Sequence, residues 1–292
     1  RWNVAAISAD GTRVALGGEA KALAVEEGPP AETRLVLLDL PTRTMRRVQI
    51  PGNAYVVEAV AFAPDGDTLA VAVDRGRAKQ TDLVVVDGLT KRLAGAGAGS
   101  VAPKDCPKVE TPHPKGVTNA AFSPDGRKLL LAGRDPVVSV WDVPAGAAPR
   151  PTLAKEVPTD GLTSGLAWAP DGRRFLRYGF DADGRKERGI EYREATGELV
   201  RRWAITDLGV ISKKVGQVRT MAFLDPATVY LVANGFNDGD AYSPFTGTVT
   251  ATFDVTTGTA TVLAGHPTEV SQPVGAAAPG GKLVAATTDG NT

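Results

Sequence analysis

The residues able to do chemistry are few, and their spacing suits none of the common reactions. Histidine occurs only at His113 and His266, and cysteine only at Cys106. A Ser-His-Asp hydrolase needs an imidazole within reach of a hydroxyl. The nucleophile-elbow pattern Gly-x-Ser-x-Gly is missing: Gly161-Leu162-Thr163-Ser164-Gly165 has the wrong order and stands just ahead of a strand. No Cys/His cluster has zinc spacing. Asp181-Ala182-Asp183-Gly184 and Asn237-Asp238-Gly239-Asp240 look like the start of calcium loops, but neither continues to a distal Glu at the required spacing. Cys106 sits among Lys104, Asp105, Pro107 and Lys108 in what reads as an exposed loop, without the Cys-x-x-Cys-His pattern of haem attachment. The expectation is therefore no catalytic set, no metal site and no cofactor.

Bulk composition narrows the classes further. The 33 basic residues balance the 33 acidic ones, which argues against a nucleic-acid or anionic-membrane surface. The charge-rich stretch Asp181 to Lys214 alternates in sign and reads as a solvated strand and loop surface. No apolar stretch reaches the roughly 18 residues of a membrane-spanning helix. A single cysteine rules out an internal disulfide framework. It leaves the compartment open, with cytoplasm preferred to periplasm, and the oligomeric state is not legible.

The elements that would position any site are announced by a repeated turn. Ser123-Pro124-Asp125-Gly126 has degenerate copies at Ser8-Ala9-Asp10-Gly11, Ala63-Pro64-Asp65-Gly66, Ala169-Pro170-Asp171-Gly172, Leu224-Asp225-Pro226 and Ala278-Pro279-Gly280-Gly281. Positions 10, 65, 125, 171, 225 and 280 are separated by 55, 60, 46, 54 and 55 residues. A period in this range marks a repeat fold. Pro presets φ in such a turn, Asp tolerates the next position, and Gly takes the positive φ that follows. Short β-branched or aliphatic runs flank each turn and read as strands. Leu35-Val36-Leu37-Leu38 and Leu83-Val84-Val85-Val86 are apolar throughout, so both faces of the sheet must be covered. Small sheets stacked radially meet that requirement. The fold class expected is all-β: a β-propeller of four-stranded antiparallel blades. Blades are placed at approximately 1–54, 55–116, 117–161, 162–216 and 217–273, with half of a sixth at 274–292. An open ring would expose strand edges, so the sequence reads as a fragment of a six- or seven-bladed parent.

The segment from His113 to Asp142 resembles a WD40 repeat. His113 lies nine residues before Phe122, with Pro112 in place of the Gly of the Gly-His element, and Trp141-Asp142 is the dipeptide that names the family. The resemblance implies a structural relay of His113, Asp135 and Trp141 with a strand hydroxyl, whose position falls on Leu131, leaving the relay incomplete. Elsewhere the Trp-Asp position reads Leu38-Asp39, Val86-Asp87, Tyr192-Arg193 and Phe253-Asp254. The composition looks like bacterial WD40 proteins. The family implies a non-enzymatic scaffold for a protein or peptide partner. Pro-Asp-Gly turns also occur in TolB-like and prolyl-oligopeptidase-associated propellers, and the alternative is the propeller domain of a larger enzyme.

Loop length points to one face. Connections between first and second strands are tight, whereas the long ones lie between second and third strands (Gly18 to Thr33, Phe180 to Glu187, Phe236 to Gly247) or ahead of a blade's first strand (Gly95 to Gly116, Thr206 to Gly216). Both classes emerge at the same end of a radial blade, and loops on a rigid scaffold are where binding concentrates. Lys104, Arg185, Phe236, Tyr242 and Phe245 are the candidate partner contacts.

Overall fold

The computed structural model describes residues 2–18, 34–48, 50, 56–75, 80–95, 106–146, 149–180, 189–204, 215–235, 248–266, 275–277 and 284–286. Five four-stranded antiparallel meanders follow one another along the chain. The first holds β1 (Trp2–Ile7), β2 (Arg13–Gly18), β3 (Arg34–Asp39) and β4 (Thr44–Arg47); the second β5 (Val56–Phe62), β6 (Leu69–Asp74), β7 (Thr81–Val86) and β8 (Lys108–Glu110). The third holds β9 (Val117–Phe122), β10 (Lys128–Gly133), β11 (Val137–Asp142) and β12 (Thr152–Pro158); the fourth β13 (Thr163–Trp168), β14 (Arg174–Gly179), β15 (Gly189–Glu194) and β16 (Leu199–Ala204). The fifth is β17 (Val215–Phe223), β18 (Thr228–Gly235), β19 (Thr248–Asp254) and β20 (Ala260–His266), and a sixth sheet pairs β21 (Gly275–Ala277) with β22 (Val284–Ala286). Each blade's first strand packs against the next blade's first strand, and β21 packs against both β17 and β1. The inner strands thus form a closed ring of six, where the sequence reading expected an open one.

The apolar runs explain the stacking. Alternate residues of one strand serve two different interfaces: Leu69, Val71, Val84 and Val86 pack against Ala15, Leu35 and Leu37 of the first blade, while Ala70, Ala72, Leu83 and Val85 pack against Leu129, Leu131 and Trp141 of the third. Period-two burial on both faces is what a central blade requires. Each fully buried aliphatic side chain contributes about 1.5–3 kcal/mol, so no blade is stable without its neighbours.

The repeated turns are built alike. The amides of Gly11, Gly66, Gly126 and Gly172 donate to the carbonyls of Ser8, Ala63, Ser123 and Ala169 at 2.9–3.0 Å. The Asp before each Gly then accepts a backbone amide two residues on, as Asp10 does from Thr12, Asp125 from Arg127 and Asp171 from Arg173. The Ser8 hydroxyl, then the Thr12 amide, hold the Asp10 carboxyl down at about 2. Gly126 has φ 70°, and a Cβ there would meet Pro64 Cδ at 3.4 Å and Ala63 Cβ at 4.0 Å, ordinary contacts. Space is adequate, so Gly126→Ala is expected to cost only the left-handed backbone strain, about 1–2 kcal/mol. Urea unfolding checks this value.

Two expectations are corrected in blade two. The chain between β7 and β8 contains α1 (Leu89–Gly95), so most of the 95–116 segment joins a third strand to a fourth rather than entering the next blade. Leu89 and Leu93, four apart, turn one face of this helix onto the core. Cys106 is not an exposed loop thiol. It is buried in the same apolar cluster, with Arg92 Nη2 at 3.9 Å from its sulfur.

Candidate binding face

The two ends of the ring differ in construction. At the turn end, Asp-Gly hairpins close the first-to-second connections of the first four blades, and a turn held by Asp225 Oδ1, which accepts the Ala227 and Thr228 amides at 2.8 Å, closes that of the fifth. At the other end, the pairing of each complete blade's first and second strands shifts register near the start of the inner strand. The residues skipped in the first four blades are Asn3, Glu58, Thr118 and Ser164, all polar. A bulge re-aims a side chain and frees its backbone from the ladder. Two of these side chains reach across to the next blade. Glu58 Oε2 accepts the Val117 amide at 2.9 Å, and Thr118 Oγ1 donates to the Thr163 carbonyl at 3.2 Å. Ser164 Oγ is buried without a partner.

Just behind this polar rim, blade three carries its relay. His113 Nε2 and Ser139 Oγ are 2.8 Å apart, and Trp141 Nε1 donates to the same oxygen at 2.8 Å. The hydroxyl expected at Leu131 is supplied by Ser139 instead. The two residues are direct partners in the β10–β11 ladder, so the hydroxyl sits at the same level on the adjacent strand. Asp135 Oδ2 accepts the Lys115 amide at 2.9 Å, and His113 Nδ1 has no partner. A Ser–His pair at this distance has nucleophile–base geometry, but both side chains are 0% exposed, and the oxygen is already committed to Trp141. Burial pushes the His113 imidazole down to about 4. The arrangement fixes the chain entering the blade and offers a substrate nothing.

Blade four rewrites the same positions in charge. Arg177 pairs with Glu191 in the β14–β15 ladder just as Leu131 pairs with Ser139. Arg193 stands two residues beyond Glu191, as Trp141 does beyond Ser139, and Asp160 occupies the entering connection, as His113 does. Arg177 Nε donates to Glu191 Oε2 at 2.7 Å and its Nη2 to Oε1 at 3.0 Å; Nη2 also meets Asp160. Arg193 adds a second guanidinium to Glu191 at 2.6 Å, and Arg202 reaches Asp160 at 2.9 Å. Burial alone would raise the Glu191 carboxyl, but Arg177 and then Arg193 outweigh it and hold it below its usual range. The reading of Asp181 to Lys214 as a solvated surface fails at Glu191, which is 2% exposed, while Leu199 to Arg202 are exposed as expected; Arg177, just ahead of that stretch, is 1% exposed.

Among the described residues, no group of three His, Cys, Asp or Glu could hold a metal ion. No described helix is long and apolar enough to cross a membrane. Trp168 and Trp203 are buried strand-packing residues. Lys104, Arg185, Phe236, Tyr242 and Phe245 lie outside the described residues. Sequence reasoning missed Ser139, Glu58 and the Arg177–Glu191 pair. A signal existed for Ser139, which alternates with Trp141 on one strand face; none existed for the bulge at Glu58.

Residues 104–142 match the family model for the WD domain, G-beta repeat, the blade that carries the relay. The chain is a β-propeller that carries a WD40 repeat. It is 27% identical over 136 residues to WD repeat-containing protein 1 of Gallus gallus, covering 46% of the chain and 18% of that protein. It is 30% identical over 126 residues to COMPASS component SWD1 of Saccharomyces cerevisiae, covering 42% of the chain and 25% of that protein. It thus spans about a fifth to a quarter of these curated relatives. Kuenenia stuttgartiensis Hydrazine Synthase shares the fold, with TM-score 0.61 and 15% identity over 98% of this chain and 73% of that one. WD40 propellers are typically protein-interaction scaffolds.

Proposed function

We propose that this WD40 propeller is a non-enzymatic scaffold that holds a protein or peptide partner on the loop-rich end of its ring. The observation that supports this reading is the one-sided construction: rigid hairpins close one end, while polar bulges of the inner strands open the other. Tyr242 and Phe245 supply apolar anchors in the second-to-third connection of blade five, and aromatic anchors carry most binding energy in such surfaces.

The test is retention of a partner from a lysate by the wild-type chain, by the Tyr242→Ala/Phe245→Ala variant, and by Arg127→Ala at the turn end. Partner retention is expected to be lost only in the aromatic variant, at unchanged melting temperature. Equal retention by all three, or loss with Arg127→Ala alone, sinks the proposal. Loss of folding in the aromatic variant would make those residues core.

A further inference from the structure

Of the residues skipped in the first four blades, Glu58 is the one that carries charge, and it is held without a counter-charge. Its Oε2 is fixed from two sides, by the Val117 amide at 2.9 Å and the Thr81 hydroxyl at 2.9 Å. No hydrogen bond among the described residues reaches Oε1, and this oxygen is absent from the buried orphan atoms of the fold, so solvent reaches it. Gly116 makes room for the carboxylate itself: a Cβ there would lie 2.5 Å from Oε1, and its φ of +104° would strain any other residue. The neighbouring charges are Asp74, which opposes ionisation, and Arg134, which favours it without forming an ion pair.

A half-buried carboxylate with no paired cation is costly. Burial pushes the Glu58 carboxyl above its ordinary range, and the two hydrogen bonds do not bring it back. Orienting one oxygen with backbone and hydroxyl donors while the other stays open to solvent makes a receptor rather than a packing contact. The missing element is a hydrogen-bond donor with positive charge.

We infer that Glu58, with Gly116 and Thr81, forms a subsite on the loop-rich end that receives a lysine or arginine side chain of the protein partner. The subsite rests on the scaffold reading above, and it names the chemistry of the residue recognised.

The test uses an acetylated, amidated Ala/Gly heptapeptide with a central arginine, and its lysine, citrulline and norleucine analogues, titrated into the labelled chain and followed at the Val117 and Gly116 amides by NMR. Arginine and lysine peptides are expected to shift both signals saturably, and the neutral analogues to bind more weakly by on the order of thirtyfold. Glu58→Gln, which keeps an acceptor for the Val117 amide, is expected to erase the difference between arginine and citrulline at unchanged melting temperature. If Glu58→Gln does not fold, the arginine-against-citrulline comparison on the wild-type chain decides alone. Equal binding of all four peptides, no shift at Val117, or the same shift produced by calcium chloride in place of the peptide each overturns the inference. Partner retention that depends on Tyr242 and Phe245 while the peptide series shows no preference would sink the subsite and leave the scaffold standing; the reverse pattern would do the opposite.

Discussion

Replacing Arg177 by leucine destabilises the protein by about 3–5 kcal/mol, because it strands the Glu191 carboxylate in the interior without its main cation. Glu191 is 2% exposed and receives two of its hydrogen bonds from that guanidinium. Of the remaining cations, Arg193 bonds Oε2 at 2.6 Å and Arg202 Nε stands 3.8 Å from Oε1, beyond hydrogen-bond reach. Adding Glu191→Leu to Arg177→Leu is expected to recover most of the loss, since apolar side chains of similar volume replace a buried ion pair at little or no cost. Equilibrium urea unfolding of the two variants reads this directly. A single-variant loss below about 1 kcal/mol would match a surface ion pair and would mean that water enters the blade-four network.

Stability is expected to fall as pH is lowered from about 6.5 to 4, and His113 is the cause. Its folded value is depressed to about 4 by burial, against roughly 6.5 in an unfolded chain. Below 6.5 the unfolded state takes up a proton that the native state refuses, so stability is full above this window and is lost through it. At about 1.4 kcal/mol per pH unit the loss approaches roughly 3 kcal/mol. The Glu58 carboxyl, raised by burial, works in the opposite sense. The comparison is therefore made against His113→Leu, whose stability curve should be flatter between pH 6.5 and 4. Parallel curves for the two proteins would show that the imidazole is solvated. Ser139→Ala belongs to the same unit: it leaves Nε2 of His113 and Nε1 of Trp141 buried and unbonded, and a loss of about 2–4 kcal/mol is expected for two such orphans.

The relay and the ionic cluster show where sequence reading loses its grip. His113 and Trp141 were legible from their spacing to Phe122 and Asp142, yet the hydroxyl was sought on β10 and lies on β11. Ladder partners face the same neighbour at the same height, so either strand can supply a group, and a one-strand template cannot see the exchange. Arg177 and Glu191 stand 14 residues apart, the second within the stretch of alternating sign, Asp181 to Lys214, that looks solvated. Only their ladder pairing brings opposite charges together out of water. Cys106 misled for a related reason. Its neighbours Lys104, Asp105 and Lys108 describe a loop, while the contacts that bury it come from α1 and blade two.

By itself the sequence determined the blades. Asp-Gly turns and short runs of alternating or continuous apolarity act over a handful of residues, through local φ preferences and the two-residue period of a strand, and they need no distant partner to be read. Tertiary structure alone decided the closure of the inner ring, the source of the relay hydroxyl, the burial of Arg177 and Glu191, and the bulges that turn Asn3, Glu58, Thr118 and Ser164 out of the ladder. Each of these depends on the register between strands or the packing of one blade on the next, and register is a property of the pair.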